Sequence, residues 1–447
     1  MNGRRLGAGL LLALTVGGGG GWWTTRRLLA MERATHEREA TASAAAEREV
    51  RTRDVAFYEA RAAGDPESAI DRATLAALYL QRSRETADFA DVLRAERSAR
   101  ASLALRTVHN EAAAVALASS LMSQHRFADA RGVAAPLSAA APWVAAHRAL
   151  LGEACLELGD YACARAALDS IDGRARTSGI VAPTLARWAE LRGDSATARV
   201  LLHRARAVAL SQPGVPRERV AWWQLRVADL ELRQGRARSA ERALRAGLAA
   251  SPEDHRLHAA VARLMAARHR WDDAIAHGER AVGIALDPAT LGVMSDAYAA
   301  RGDSARAAEH ARTMEVAAGR QPGAYHRAWS LFLLDHGRQL PQVLDAARAE
   351  LATRRDAYGH DVLAWALYRN GRVREARAAM APALALGTQD ALLLYHAGMI
   401  ARADGDARAA RSYLARALAV SAWWDHAGPD TARAVLDTLR REPEAAP

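Results

Sequence analysis

A spacing close to 34 residues recurs along this chain from about residue 66 onward, and no other feature constrains the fold as much. A glycine followed by Asp or Arg, with Ala five residues after the glycine, occurs at Gly159-Asp160 with Ala164, Gly193-Asp194 with Ala198 and Gly235-Arg236 with Ala240. It returns at Gly302-Asp303 with Ala307, Gly371-Arg372 with Ala376 and Gly405-Asp406 with Ala410. Degenerate copies sit at His125-Arg126 with Ala130, His269-Arg270 with Ala274, and Gly337-Arg338. The anchors 125, 159, 193, 235, 269, 302, 337, 371 and 405 lie 34, 34, 42, 34, 33, 35, 34 and 34 residues apart. A unit of that length cannot bury its own apolar face, so successive units must stack. Composition agrees: 50% of the 447 residues are apolar but only 5% are aromatic, which argues against a barrel rich in Val, Tyr and Phe and against disorder.

Numbering each unit with the turn glycine as position 15, positions 7, 8 and 11 read large, small, large: Leu117-Ala118-Leu121, Val261-Ala262-Met265, Leu363-Ala364-Leu367. Position 20 is Ala in eight of the nine copies, with Gln342 the exception. Small residues at 8 and 20 let two antiparallel helices approach closely, and large ones at 7, 11 and 24 fill the space between neighbours. Glycine at 15 supplies the left-handed conformation that ends the first helix, and Pro252 at position 32 stops a second one. These residues resemble the tetratricopeptide repeat family over roughly residues 66–420, in the manner of its membrane-anchored or exported bacterial members. The resemblance implies an all-α right-handed superhelix, a solenoid of nine or ten helix-turn-helix units.

The 42-residue interval comes from eight extra residues around Ser211-Gln212-Pro213-Gly214-Val215-Pro216, a loop expected to hinge two blocks of repeats, 66–210 and 221–420. A unit near Glu67 keeps Leu75-Ala76-Tyr79 but has an enlarged turn, Ser83 to Phe89. Prolines 136, 142 and 341 are expected to shorten second helices. Residues 421–447 should supply a capping helix, Pro429 to Arg441, and a tail.

Residues 1–27 have the layout of a signal anchor or signal peptide: Arg4 and Arg5, an apolar stretch from Leu6 to Trp23, then Arg26 and Arg27. That layout predicts a repeat body anchored to a membrane and exported to the periplasm, or released there after cleavage. Residues 28–65 are charged, free of Gly and Pro until Gly64, and read as a polar stalk helix.

Chemistry is sparse. The chain contains no lysine, so its 61 basic residues are all arginine, which removes a P-loop lysine, a Schiff base and a Ser-Lys dyad. His255, His258 and His269 lack a carboxylate or Cys at metal-ligand spacing, no HExxH or GxSxG occurs, and neither a metal nor a cofactor is expected. Cys155 and Cys163, at positions 11 and 19, are expected as two separate thiols, with a disulfide across the hairpin as the alternative. A net charge of +10 is mild and the arginines are interspersed with Asp and Glu, so nucleic acid is a disfavoured partner.

What the resemblance implies is a binding surface. In this family positions 2, 5, 9, 12 and 13 of the first helices line a concave groove. Here these positions carry Trp222, Asp229, Arg233, Arg256, Arg263, Arg327, Tyr358, Asp361, Trp365, Tyr368, Arg369, Tyr395 and Arg402. Aromatic and arginine mixtures of this kind populate interface hot spots. The expected function is a non-catalytic scaffold that binds a peptide segment or partner protein at the cell envelope. The alternative is an RNA-binding helical repeat that uses its arginines on phosphates.

Overall fold

A computed structural model describes residues 20–319 and 327–441. Among them the chain is all-α, with 22 α-helices and a short 3-10 segment, Gly173–Thr177. The leading helix α1 (Gly20–Gly64) runs into ten helix pairs. The first five are α2 (Ala69–Thr86) with α3 (Phe89–Leu105), α4 (Glu111–Ser123) with α5 (Phe127–Ala140), α6 (Ala145–Leu158) with α7 (Tyr161–Leu168), α8 (Ala182–Leu191) with α9 (Ser195–Leu210), and α10 (Arg217–Arg233) with α11 (Ala237–Ala250). The second five are α12 (His255–Ala267) with α13 (Trp271–Val282), α14 (Pro288–Ala300) with α15 (Ser304–Gly319), α16 (Arg327–Asp335) with α17 (Leu340–Glu350), α18 (Ala357–Arg369) with α19 (Val373–Leu384), and α20 (Ala391–Ala403) with α21 (Ala407–Val420). A last helix, α22 (Gly428–Arg441), covers the apolar end through Ala432, Leu436 and Leu439.

The repeated turn works as its residues dictate. All nine position-15 residues have positive φ, from 57° at His125 and His269 to 83° at Gly405. In every unit the N–H of position 16 donates to the C=O of position 11 at 2.7–2.9 Å, which satisfies a carbonyl the helix end would otherwise leave open. Where position 16 is Asp, its carboxylate also caps the next helix: Asp160 accepts from Cys163 N–H, Asp194 from Thr197 N–H and Asp406 from Ala409 N–H. Glycine-aspartate is thus a stop and a start in two residues. Position-20 alanines 130, 164, 198, 240, 274, 376 and 410 are fully buried. Gln342 breaks the rule because Gln339 takes an additional left-handed turn, φ 49°. That delays α17 by one residue, so Val343 is buried in place of position 20.

Successive first helices pack on one another (α2 on α4, α4 on α6, α10 on α12, α12 on α14, α14 on α16, α16 on α18, α18 on α20) and so form the inner face. One apolar cluster runs from Ala149 to Ala297 through both sides of the 211–216 loop, so that loop does not separate two cores. Pro136 sits inside α5 without shortening it, contrary to expectation. The solenoid also comes back onto itself. Five to six pairs further along, inter-pair loops meet the turns of earlier pairs: Arg355 N–H donates to Leu158 C=O at 3.1 Å, Ala357 N–H to the Tyr161 hydroxyl at 2.7 Å, and the Ser421 hydroxyl to Leu232 C=O at 2.9 Å.

Two expectations about the N-terminus are corrected. Residues 1–19 lie outside the described residues, but Trp22, Trp23, Arg26 and Arg27 belong to α1, a charge-rich helix of 45 residues. Among the described residues no helix is long and apolar enough to cross a membrane. The membrane-anchored location is therefore withdrawn, and the stretch from Leu6 that carried the signal reading lies largely outside the described residues. Nor does α1 stand away as a stalk: Ala40, Ala44 and Val55 are buried, Glu47 accepts from Arg217 N–H at 2.9 Å, and Arg48 pairs with Glu253 at 3.3 Å.

Cys155 and Cys163 are joined in a disulfide, Cα to Cα 5.9 Å, in place of the two thiols expected. Asp160 draws the two strands of the hairpin together, its N–H on Cys155 C=O and its carboxylate on Cys163 N–H. A thiol reagent should therefore find no reactive cysteine in native or unreduced denatured protein, and reduction should cost ~2–3 kcal/mol by loop entropy. Matched glycine triples test the seam. Gly159, Gly193 and Gly235 and, separately, Gly302, Gly371 and Gly405 all have φ of 72–83°. A Cβ on the first three meets Arg355, Gly387 and Val420 backbone oxygens, and on the second three meets nothing within 4 Å. Both triple alanine variants should lose ~1–2 kcal/mol per site. Only the first should raise the radius of gyration in small-angle scattering; equal scattering would refute the seam.

Candidate partner-binding channel

Positions 5, 9, 12 and 13 of the first helices carry charges on the inner face, and there the repeat period becomes a ladder of ion pairs. Glu157 on α6 pairs with Arg187 on α8. Glu190 on α8 accepts two bonds from Arg233 on α10, at 3.0 and 2.9 Å. Asp229 on α10 pairs with Arg263 on α12 at 3.1 Å, and Arg327 on α16 with Asp361 on α18 at 2.9 Å. Each rung joins one unit to the next, so the pairing follows from residues recurring about one period apart. Burial alone would lower the pKa of Arg187, Arg233 and Arg327, but the facing carboxylates push all three up instead.

The thirteen expected groove residues divide. Asp229, Arg233, Arg263 and Arg327 are rungs, and Arg256 is held by Glu218 at 3.0 Å and Asp254 at 2.6 Å. Trp222 is half-buried, edge-on to Trp223. Tyr358 lies under the Arg327 guanidinium at 4.8 Å, and burial together with Asp390 raises its hydroxyl to about 12 against the nearby Arg233, Arg187 and Arg327. Helices α8, α10, α16 and α18 therefore place these groups within electrostatic reach of one another, and this charged stretch of the inner face is the channel. The patch from Tyr358 to Arg369 does not form a single surface. Asp361 is fully buried between Arg327 and His396, and Trp365, 3% exposed, stacks on His396 at 4.1 Å and donates to Asp335 at 2.8 Å. Burial would raise the Asp361 carboxyl, but His396 and Arg327 hold it below the usual range. Tyr395 is likewise buried, beside Trp424. Tyr368 and Arg369 cover Trp365 at the half-buried rim, and Arg402 is half-buried in the last turn of α20. His258, weighed as a metal ligand, bonds Pro252 C=O and His277 at 2.8 Å each. Among the described residues no group of three His, Cys, Asp or Glu is placed for a metal.

A cleft of ≈ 1130 Å³ opens beside the channel, between the turns at Ala87 and His125, the inner faces of α10 and α12, the loop Ala281–Asp287 and α15. Phe89, Leu225, Ile284, Leu286 and Val316 line it, and Asp229, Arg256 and Arg263 lie along its inner side. Phe89, Ile284, Leu286 and Val316 keep 37–55% of their surface exposed. Phe89 and Leu286 escaped sequence reading because they lie outside the periodic positions. Glu157 and Arg187 did not have to: they occupy positions 13 and 9 of earlier units, where the same rule applies.

Neither a family model nor a curated protein matches the chain. Solved structures similar to it include the APC/C hetero-tetramer Cut9-Hcn1 (12% identity, covering 92% of this chain and 98% of that one, TM-score 0.34). A tetratricopeptide repeat protein from Parabacteroides merdae is 14% identical over 57% of this chain and 96% of that one, TM-score 0.35. Yeast Tom70 is 10% identical over 92% and 98%, TM-score 0.36.

A second cavity, ≈ 460 Å³, lies on the seam where the solenoid meets itself, between Phe127 and Glu350. Arg354 crosses there, pairing with Glu157 at 2.9 Å and Asp356 at 2.8 Å and lying over the Phe127 ring. Arg354 also pairs with Glu350 at 3.5 Å, but burial outweighs that pairing, with the nearby Asp356 adding to it, and raises the Glu350 carboxyl to about 7. The native state keeps this proton between pH 4.5 and 7 whereas the unfolded chain has released it. The stabilisation is therefore complete below pH 4.5 and lost as pH rises through 7. Glu350→Gln should melt a few degrees above the parent at pH 8, with the gap closing toward pH 4.5 in calorimetry.

Proposed function

We propose that this protein is a non-catalytic scaffold of the tetratricopeptide kind, which binds an extended segment of a partner protein. The observation that carries this reading is the cleft, where a cluster of exposed apolar side chains adjoins the charged inner face. Large exposed apolar groups gathered in one concavity, with polar groups at the edge, are how peptide segments are held. Asp229, Arg256 and Arg263, from the groove read in the sequence, would form its polar wall. Aliphatic or aromatic side chains of the segment would fill the space between Phe89 and Leu286. The RNA alternative loses support because Arg233, Arg256, Arg263 and Arg327 each face a carboxylate, so binding phosphate there would break rungs of the ladder.

Random-peptide phage display on the full chain should select sequences with apolar residues beside charged ones. Leu286→Asp and Phe89→Asp should each weaken the selected peptides about tenfold or more in fluorescence anisotropy, with the melting temperature little changed. Failure to enrich any peptide, or peptides indifferent to both substitutions, would overturn the proposal.

A further inference from the structure

The charge ladder has two members left over. Arg226 on α10, at position 6 of its unit, and Glu153 on α6, at position 9, both face the interior, and among the described residues neither has a hydrogen bond or an ion pair. Arg226 Nε is shielded from solvent without an acceptor. The carboxylates around Arg226 are already engaged, Glu190 by Arg233 and Asp229 by Arg263. The cation nearest Glu153, Arg187 on the intervening α8, is engaged by Glu157. Arg226 and Glu153 feel one another's field without touching. Burial pushes Glu153 up and Arg226 down, each toward its neutral form, as expected of charges taken from water without compensation. Elsewhere on this face the chain pairs its charges from unit to unit, so two unmatched ones of opposite sign stand out as a vacancy in the pattern.

We infer that Arg226 and Glu153 form a dipolar anchor for the bound segment, Arg226 receiving an acidic side chain and Glu153 a neighbouring Lys or Arg. This deepens the peptide-binding reading and rests on it. The location fits: Leu225 and Asp229, on either side of Arg226 in α10, line the cleft, so a segment lying in the cleft reaches the anchor along the same helix. The local charge also selects the ligand. Arg226 is accompanied by Glu153, Glu190 and Asp229 as well as by Arg187 and Arg233, so a polyanion or a polycation is repelled by one set and a segment carrying both signs is opposed by neither.

The test uses the full chain and four fluorescein-labelled dodecapeptide pools in a shared Leu/Ser background: Asp and Lys together, Asp alone, Lys alone, and neutral. Anisotropy should rank the mixed pool tightest. Arg226→Gln and Glu153→Gln should each reduce its affinity about tenfold, to the level of the neutral pool. Because each substitution removes an unmatched buried charge, both should leave the melting temperature unchanged or raise it. Neutral peptides that bind as well as mixed ones, with both variants silent, would overturn the anchor and leave the scaffold reading intact. An Asp-only pool that binds tightest would replace it with a simple anion site. Lowered melting temperatures with the preference unchanged would assign the pair a structural role. Absence of binding by every pool would overturn scaffold and anchor together.

Discussion

A single backbone turn sets the whole architecture. The position-15 residue enters the left-handed region, and the following N–H reaches back five residues to a carbonyl of the helix just ended. That bond fixes how the second helix leaves the first, and the buried position-20 alanine fixes how closely it returns. Because the geometry recurs at nearly equal intervals, the rotation from one pair to the next also recurs, and a superhelix follows with no further instruction. His125 and His269 show that the turn, rather than glycine, is the invariant: both adopt φ 57° and keep the bond, at the energetic cost of a side chain in that region.

The same glycines do a second job that only the assembled coil reveals. At Gly159, Gly193 and Gly235 the missing Cβ is also what lets a loop nearly two hundred residues further along lie against the turn. Gly302, Gly371 and Gly405 have the same backbone shape and open space beside them. Three of the nine position-15 residues thus serve the closure of the coil as well as the local turn. Arg354 reinforces it by bridging Glu157 and Asp356 across the join.

This division explains what could be read in advance. Hairpins, their turns and the alanine contacts are set by residues within one period and are legible there, whereas the enlarged turn expected from Ser83 to Phe89 is absent, because α2 continues to Thr86 and leaves only Ala87 and Asp88 between the helices. Burial of Trp365 depends on His396 one unit on, and the disulfide depends on how tightly Asp160 draws the turn; spacing proposes such contacts without ranking them. The seam depends on the accumulated rotation of five to six pairs, a sum no local motif encodes. Of the groove residues, Asp229, Arg233, Arg263 and Arg327 lie in ion pairs between units, but periodicity could not say that Asp229 would be matched by Arg263 or that Leu286 would line the cleft.

The ladder itself bears on where specificity can reside. A face on which the cations meet carboxylates of adjacent units is electrostatically quiet, and it would attract no particular ligand however many arginines it contains. Regularity stabilises the coil, and recognition has to come from exceptions to it. Both kinds of exception occur here in one region: apolar side chains left exposed around Leu286, and charges left unmatched at Arg226 and Glu153. On so uniform an inner wall, the meeting of the two at α10, where Leu225 lines the cleft next to Arg226, is the strongest reason to propose a partner site there rather than elsewhere on the coil.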